Sequence, residues 1–251
     1  DYEKIKSYIE KVRKGEPNIL WSGKPLYFSK TSGTTSGVKY IPISKESIST
    51  HINSARDAIL SYIYYTGNAK IFFGKQIFLQ GSPTLEIING IKTGRLSGIV
   101  AHHVPKYLQR SRMPTWNTNC IEDWEKKVEK IIEETLVENM TIIGGIPPWV
   151  QMYFEKIKQK TNMPISKLFR NFSLFIYGGV NFEPYRNIFE DLIGKKIDTI
   201  ELFPASEGFF AYQDEPGRED LLLVLNNKIF YEFVELGDFK KKKFKRLTLK
   251  D

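Results

Sequence analysis

Residues 26–43, LYFSKTSGTTSGVKYIPI, hold a run of threonine, serine and glycine between two apolar and aromatic stretches. Small residues let backbone N–H groups face a bound anion, and hydroxyl groups add side-chain donors. Lys39 follows two residues after the run and adds a positive charge. We therefore predict that residues 31–37 form a phosphate-binding loop. The predicted phosphate ligands are Thr31, Ser32, Gly33, Thr34, Thr35, Ser36, Gly37 and Lys39.

The loop does not have the Walker A spacing GxxxxGK[ST], because Lys39 lies two residues past Gly37 and no Ser or Thr follows it. Residues 40–43 are typical of an extended segment, and a helix is predicted to begin only near Ser44. The predicted order is therefore strand, phosphate loop, strand. A flexible Ser/Thr/Gly connector is the alternative. The strand-like segments on both sides favour the phosphate loop.

This stretch resembles the phosphate loop of the acyl-adenylate-forming superfamily, which includes acyl-CoA synthetases, peptide-synthetase adenylation domains and luciferases. The longer segment LYFSKTSGTTSGVKYIPIS, residues 26–44, is more similar to one branch. That branch is the acyl-acid amido synthetases, first known as auxin-responsive proteins of plants. The resemblance extends over most of residues 20–235.

A second group of candidate residues lies at the ends of two predicted strands. Residues 172–177 and 197–203 are predicted to be strands, and a helix from Asn181 to Gly194 connects them. This βαβ order predicts parallel strands, and ligands of open α/β sheets bind beyond the carboxyl ends of such strands. Gly178 and Gly179 follow the first strand, and residues 204–208 follow the second.

Ser206 and Glu207 are the chemically useful side chains in the second of these turns. Ser206 offers a hydroxyl donor, and Glu207 offers an oxygen ligand for the Mg²⁺ that accompanies nucleotide phosphates. An ordinary turn with a solvated Glu207 is the alternative. By the resemblance, ELFPASEG at 201–208 is the family's second signature. It implies that Ser206 contacts the acyl phosphate, that Glu207 binds Mg²⁺, and that YGGV at 177–180 lies along the adenine. The implied adenine-lining residues are Gly178, Gly179 and Val180.

The remaining pattern predicts an α/β protein with a mixed, largely parallel sheet flanked by helices. Helices are expected over 2–13, from Ser44 to about Tyr65 with Gly67 as the C-terminal stop, from a capping box at Asn119 and Glu122 to about Val137, and from Pro147 to about Lys158. Charged residues between the apolar positions of the third helix predict a solvent-exposed face. Strands are expected at 77–79, 85–88, 95–100 and 141–143, and a hairpin at 221–224 and 229–233 around Asn226 and Asn227.

The resemblance implies that residues 1–251 are part of the large N-terminal domain of such an enzyme. The tyrosine-arginine-x-glycine-aspartate motif, whose aspartate would hold the ribose, is not found in this sequence. The small C-terminal domain with its catalytic lysine is also expected to lie outside it. The sequence begins with Asp1 instead of methionine. We therefore expect a fragment of a longer protein.

Composition limits the possible partners. The net charge is +8, but six of the 37 basic residues lie in 240–246, and without them the surplus would be 2. The basic charge is therefore local, which predicts a solvated loop and does not favour nucleic-acid binding. No apolar run is long enough to span a bilayer. The single cysteine, Cys120, makes a reducing cytoplasm the default location.

His102 and His103 are adjacent in the segment 84–120, which is predicted to be irregular with short strands. Neighbouring strand residues point to opposite faces, so the two histidines make a poor metal pair. A structural or pocket-lining role is favoured for both. Cys120 is interpreted as a structural residue near a helix start.

The resemblance implies a ligase that uses ATP and Mg²⁺ to adenylate a carboxylic acid. The acyl group would then pass to an amine, expected to be an amino acid, while the fragment alone is expected to be inactive. An acyl-CoA ligase is one alternative, because it shares the first half-reaction. A binding module without catalysis, for a nucleotide or a nucleic acid, is the other. The sequence does not define the acyl acid, the amine or the oligomeric state.

Overall fold

The computed structural model describes residues 2–33 and 37–250, which form two β-sheets and the helices around them. The helices are α1 Tyr2–Arg13, α2 Lys45–Thr66, α3 Leu96–Ala101, α4 Lys106–Gln109, α5 Trp116–Asn119, α6 Trp124–Thr135, α7 Pro147–Thr161, α8 Ile165–Leu168, α9 Arg186–Ile193 and α10 Leu236–Lys240, with 3₁₀ turns at Ala69–Phe73 and Glu183–Tyr185. The strands are β1 Tyr27–Gly33, β2 Gly37–Ile43, β3 Lys75–Leu79, β4 Glu86–Ile88, β5 Ile91–Gly94, β6 Arg112–Met113, β7 Met140–Gly145, β8 Leu174–Gly178, β9 Asp198–Ala205, β10 Gly208–Tyr212 and β11 Leu222–Leu223.

The larger sheet has seven strands in the order β11-β10-β9-β8-β7-β3-β6. The pairs from β9 through β8, β7 and β3 to β6 are parallel, and β10 pairs antiparallel with both β9 and β11. This arrangement confirms the predicted fold, a mixed and largely parallel sheet flanked by helices. It also confirms the predicted βαβ unit, since β8, α9 and β9 are consecutive.

The central strands of this sheet are apolar on both faces, as expected for parallel strands covered by helices on each side. On β8, Phe175 and Tyr177 join the core beneath α6, α7 and α9. Leu174 and Ile176 point to the opposite face, where Tyr62 of α2 covers them. Side chains of β8 point alternately to the two faces of the sheet, so this one strand packs against helices on both sides.

The smaller sheet has the strand order β2-β1-β5-β4. Strands β1 and β2 pair antiparallel, with Tyr27 opposite Ile43 and Thr31 opposite Lys39. The predicted order of strand, loop and strand is thereby confirmed. Helix α2 begins directly after β2, because the Ser44 hydroxyl accepts a hydrogen bond from the backbone N–H of Ser47, and Gly67 ends the helix with a φ of +68°.

The strand predicted at 95–100 is wrong. That segment forms helix α3, and the preceding strand is β5 at Ile91–Gly94. Leu96, Ile99 and Val100 recur at the i, i+3, i+4 spacing of a helix, and they pack on the β1–β2 hairpin. His102 and His103 consequently follow the end of a helix and do not lie on a strand.

The hairpin predicted at 221–224 and 229–233 is also wrong. Only Leu222–Leu223 forms a strand, and it pairs with β10, which the sequence pattern did not reveal. Within 229–233 only Phe233 makes a β-bridge, to Leu247. Asn227, expected in the turn, is buried and donates a hydrogen bond to the carbonyl oxygen of Phe209. Asn227 therefore contacts β10 and not a partner strand of a local hairpin.

The start of α6 also differs from the prediction. Asp123 caps the helix by accepting a hydrogen bond from the N–H of Lys126, whereas Asn119 ends α5. Lys127 does not lie on a solvent-exposed face, because it is 1% exposed and its ammonium donates to the carbonyl oxygens of Gln80 and Asn119 at 3.0 and 2.6 Å. Burial lowers the pKa of this ammonium to about 8.

Candidate functional site

The turn between β9 and β10 contains two of the predicted site residues. Ala205 pairs with Gly208, so Ser206 and Glu207 are the two loop residues of a tight hairpin. Strands β8 and β9 are parallel, with Gly178 opposite Leu202. The turn after β9 and the glycines that end β8 therefore lie at the same edge of the larger sheet.

The Ser206 hydroxyl meets the strand that leads into the predicted phosphate loop. Its Oγ lies 2.7 Å from Oγ of Ser29, a residue of β1 that is fully buried. The two serines are 177 positions apart in the sequence. The structure thus brings β1 of the smaller sheet against the β9–β10 turn of the larger sheet.

The described residues among the predicted phosphate ligands lie at the loop end of the β1–β2 hairpin, where Gly33 pairs with Gly37. Thr31 and Lys39 pair across the hairpin on the face that also holds Ser29, because alternate strand residues and directly opposed residues share a face. The Lys39 ammonium lies 5.5 Å from the centre of the Tyr2 ring in α1. Gly37 begins β2 with a φ of +77°. Three of the predicted ligands, Thr34, Thr35 and Ser36, lie outside the described residues, as does the side chain of Ser32.

Glu207 is exposed, and among the described residues its carboxylate has no hydrogen-bond or ion-pair partner. No group of three or more histidine, cysteine or acidic residues close enough to hold a metal occurs within 2–33 and 37–250. Mg²⁺ in nucleotide sites is bound by one or two carboxylates together with phosphate oxygens, so a free single carboxylate fits that manner of binding. The exposed carboxylate of Glu207 is therefore available as a single oxygen ligand for a cation.

Gly178, Gly179 and Val180 form the turn at the end of β8. A Cβ at Gly178 would collide with the carbonyl oxygen of Leu202, so strand packing alone requires glycine at this position. Gly179 has a φ of +83°, which favours glycine, and Val180 is 40% exposed. The turn presents backbone and one small apolar side chain to solvent, a surface against which a flat ring can lie.

A second contact on the same face of β1 involves His103, for which the sequence favoured a structural or pocket-lining role. Nε2 of His103 lies 2.9 Å from the Tyr27 hydroxyl, and the two rings meet edge to face. Burial lowers the pKa of His103, and the positive charges of His102 and Lys92 lower it further. His102 contacts a different group, the carbonyl oxygen of Pro83, at 2.9 Å. Tyr27 is 76 positions from His103, so no local pattern could reveal the pair.

Comparison with known proteins identifies relatives of this chain. Residues 1–113 match the family model described as GH3 family N-terminal domain. The solved structure of GH3.15 acyl acid amido synthetase matches with a TM-score of 0.68 at 14% identity, over 92% of this chain and 50% of that one. A second, AtGH3.15 acyl acid amido synthetase in complex with 2,4-DB, matches with a TM-score of 0.72 at 14% identity, over 94% and 51%.

The likeness to these structures is one of fold, and this chain spans about half the length of each. No curated protein matches the sequence. Among the described residues, no helix has both the length and the apolar content needed to cross a membrane.

Proposed function

We propose that this chain is the ATP-binding part of an enzyme that adenylates a carboxylic acid, because residues 1–113 match the model of the GH3 family N-terminal domain and the chain has the fold of acyl acid amido synthetases. The observation that supports this most directly is the contact between Ser29 and Ser206. It brings the strand of the hydroxyl- and glycine-rich loop to the turn that holds Ser206 and Glu207. The strand that leads into one predicted phosphate-binding stretch thereby contacts the turn that holds the other.

In the proposed first step, a carboxylate oxygen of the acid attacks the α-phosphorus of ATP. The bond from that phosphorus to the bridging oxygen of pyrophosphate breaks, and acyl-adenylate and pyrophosphate are formed. The protein contributes by positioning the reactants and neutralising charge. The loop at 31–37 and Lys39 would hold the β- and γ-phosphates, while Ser206 would donate to the α-phosphate region. Gly178, Gly179 and Val180 would lie along the adenine.

Glu207 is the residue that would hold Mg²⁺ in this site. The bound ion would supply charge neutralisation at the phosphate oxygens. The unpaired carboxylate of Glu207 suits this role, because no ion pair has to be broken when a cation binds.

In the proposed second step, an amine attacks the carbonyl carbon of the acyl-adenylate. The bond to the phosphate oxygen breaks, AMP leaves, the nitrogen loses a proton, and an amide forms. We propose an amino acid as the amine, because the solved proteins of this fold are named acyl acid amido synthetases. Transfer to CoA is the competing second step, and product analysis with CoA against amino acids distinguishes the two.

Residues 1–251 would then be part of a large ATP- and acyl-binding domain. The aspartate that holds the ribose and a small C-terminal domain would lie in the rest of the protein. We expect the 251-residue chain alone to bind ATP weakly and to lack turnover. Amide formation by this chain alone would contradict that division.

The test is pyrophosphate exchange into ATP by the full-length protein with a panel of carboxylic acids. We expect exchange with at least one acid, and a loss of about 100-fold or more in Glu207→Ala, the size typical for removal of one charge-stabilising group. Glu219→Ala is the matched control, because Glu219 is also exposed and lies outside the site. Exchange that is absent with every acid would contradict the proposed function. Unchanged exchange in Glu207→Ala would remove only the Mg²⁺ role.

A further inference from the structure

Ser29 is a buried polar residue that no part of the proposed mechanism uses. Ser29 is fully buried, and its Oγ lies 2.7 Å from Oγ of Ser206. We propose that Ser29 is a positioning residue that orients the Ser206 hydroxyl towards the phosphate of the nucleotide. This inference rests on the proposed function, since it presumes that Ser206 contacts a phosphate.

The direction of the hydrogen bond follows from the number of protons. A serine hydroxyl has one proton, so Ser206 cannot donate to a phosphate oxygen and to Ser29 at the same time. When Ser206 donates to an anion, Ser29 must donate to Ser206. A hydroxyl that accepts one hydrogen bond becomes a better donor in the next, and the effect is larger where water is excluded. Ser29 would therefore both aim and strengthen the Ser206 donor.

Burial separates this role from direct catalysis. Ser29 has no exposed surface, whereas Ser206 is partly exposed. A nucleotide in the site can reach the Ser206 hydroxyl but not that of Ser29. Ser29 therefore acts only through its neighbour.

The same strand links Ser29 to the predicted phosphate loop. Ser29 lies four residues before Gly33, the end of β1, which corresponds to about 13 Å along a strand. A single strand thus contacts the Ser206 turn at Ser29 and leads into the predicted loop at its end. The hydroxyl pair would set the distance between the two groups that bind one triphosphate.

A purely structural role is the competing explanation, and another buried serine provides the control for it. The Ser54 hydroxyl of α2 donates to the side-chain oxygen of Asn227 at 3.1 Å, and Ser54 is 2% exposed. This pair also joins distant parts of the chain, but it involves none of the predicted site residues. Ser54→Ala removes one buried hydroxyl as Ser29→Ala does, so the two variants separate a local effect at the site from a general loss of stability.

The first experiment compares Ser29→Thr with Ser29→Val in the full-length protein. The two side chains have nearly the same shape and differ by the hydroxyl, so any steric cost at this buried position is common to both. We expect pyrophosphate exchange at least 10-fold faster in Ser29→Thr than in Ser29→Val. We also expect Ser29→Ala to lose about 10-fold, and Ser54→Ala to stay within twofold of wild type. Equal rates in the Thr and Val variants would overturn the proposal.

The second experiment is a double-mutant cycle with Ser206. If Ser29 acts through Ser206, Ser29→Ala should change the exchange rate by less than twofold once Ser206→Ala is present. Additive losses would show a structural effect and would refute the positioning role. Absence of exchange in the wild-type protein would instead contradict the proposed function itself, so the two failures are distinguishable. Thermal unfolding of each variant verifies that it is folded.

Discussion

At the scale of single residues, buried polar side chains decide how separate parts of this chain meet. Lys127, Ser29 and Ser54 each bond to a group from another part of the chain. A buried polar group without a partner costs free energy, so each such side chain constrains the position of its neighbour. None of the three contacts could be predicted from the sequence. The identity of a polar residue does not show whether its side chain is buried against another segment or exposed to solvent.

His51 differs from these residues, because its Nε2 has no hydrogen-bond partner among the described residues although the residue is only 3% exposed. It lies in α2 beside the ring of Phe209 in β10. Burial lowers the pKa of His51 from 6.5 to about 4. The folded protein therefore keeps this imidazole neutral at pH values where the unfolded chain is protonated.

This difference predicts a pH-dependent stability. The contribution of His51 is fully present above pH 6.5 and is lost as the pH falls towards 4, because the unfolded chain gains the proton first. We expect the free energy of unfolding of wild type, relative to His51→Leu, to fall by roughly 3 kcal/mol over this range, since one pKa unit corresponds to about 1.4 kcal/mol. Urea unfolding of both proteins between pH 4 and pH 7.5 measures it. A constant difference would show that His51 titrates normally in the folded state.

At the scale of elements, the sequence predicted the ends of a helix correctly where a residue next to the helix acts as its cap. Ser44 and Gly67 bound α2 as predicted, because a capping hydroxyl and a left-handed glycine act within one turn of the helix. The starts of α3 and α6 were missed. At α3 the apolar spacing fits a helix, while at α6 the cap is Asp123 in place of the equally plausible Asn119.

The cap at Gly67 leads to a paired prediction. Gly67 and Gly237 both have open space around an added methyl group, but only Gly67 has a positive φ. We expect Gly67→Ala to lower the free energy of unfolding by about 1 kcal/mol, because alanine is strained in the left-handed region. Gly237→Ala should be neutral or raise it by up to about 1 kcal/mol, because alanine favours the helical conformation of α10. Chemical denaturation of both variants tests this, and equal effects would contradict the explanation by φ.

At the scale of the whole molecule, positive charge is concentrated in one exposed segment. Residues 240–246 are exposed, and Arg246 forms an ion pair with Glu232 at 3.4 Å. The segment contains no residue of the predicted site. The basic segment at 240–246 and the candidate nucleotide site therefore consist of different residues.

That separation yields a test of the nucleic-acid alternative. We expect replacement of the five lysines in 240–246 by glutamine to abolish weak binding to duplex DNA and to flatten its dependence on salt, because released counterions drive such binding. ATP-induced thermal stabilisation of the full-length protein should be unchanged. Fluorescence anisotropy with DNA at several salt concentrations and a thermal melt with ATP give the two readouts. DNA binding that persists at physiological salt in the variant would favour the nucleic-acid module instead.

Elements whose signals are local could be predicted from the sequence: the β1–β2 hairpin, the βαβ unit that precedes Ser206, and the helix caps at Ser44 and Gly67. Hydrophobic periodicity and turn-forming residues depend on only a few neighbouring positions, so they can be recognised in the sequence. The contact of Ser29 with Ser206, the contact of Tyr27 with His103 and the burial of Lys127 became visible only in the folded chain. The serine and Tyr27–His103 contacts join residues 177 and 76 positions apart, while the burial of Lys127 depends on the segment that holds Gln80. These two contacts and the burial of Lys127 arise when whole helices and strands pack together. No short stretch of sequence specifies that packing.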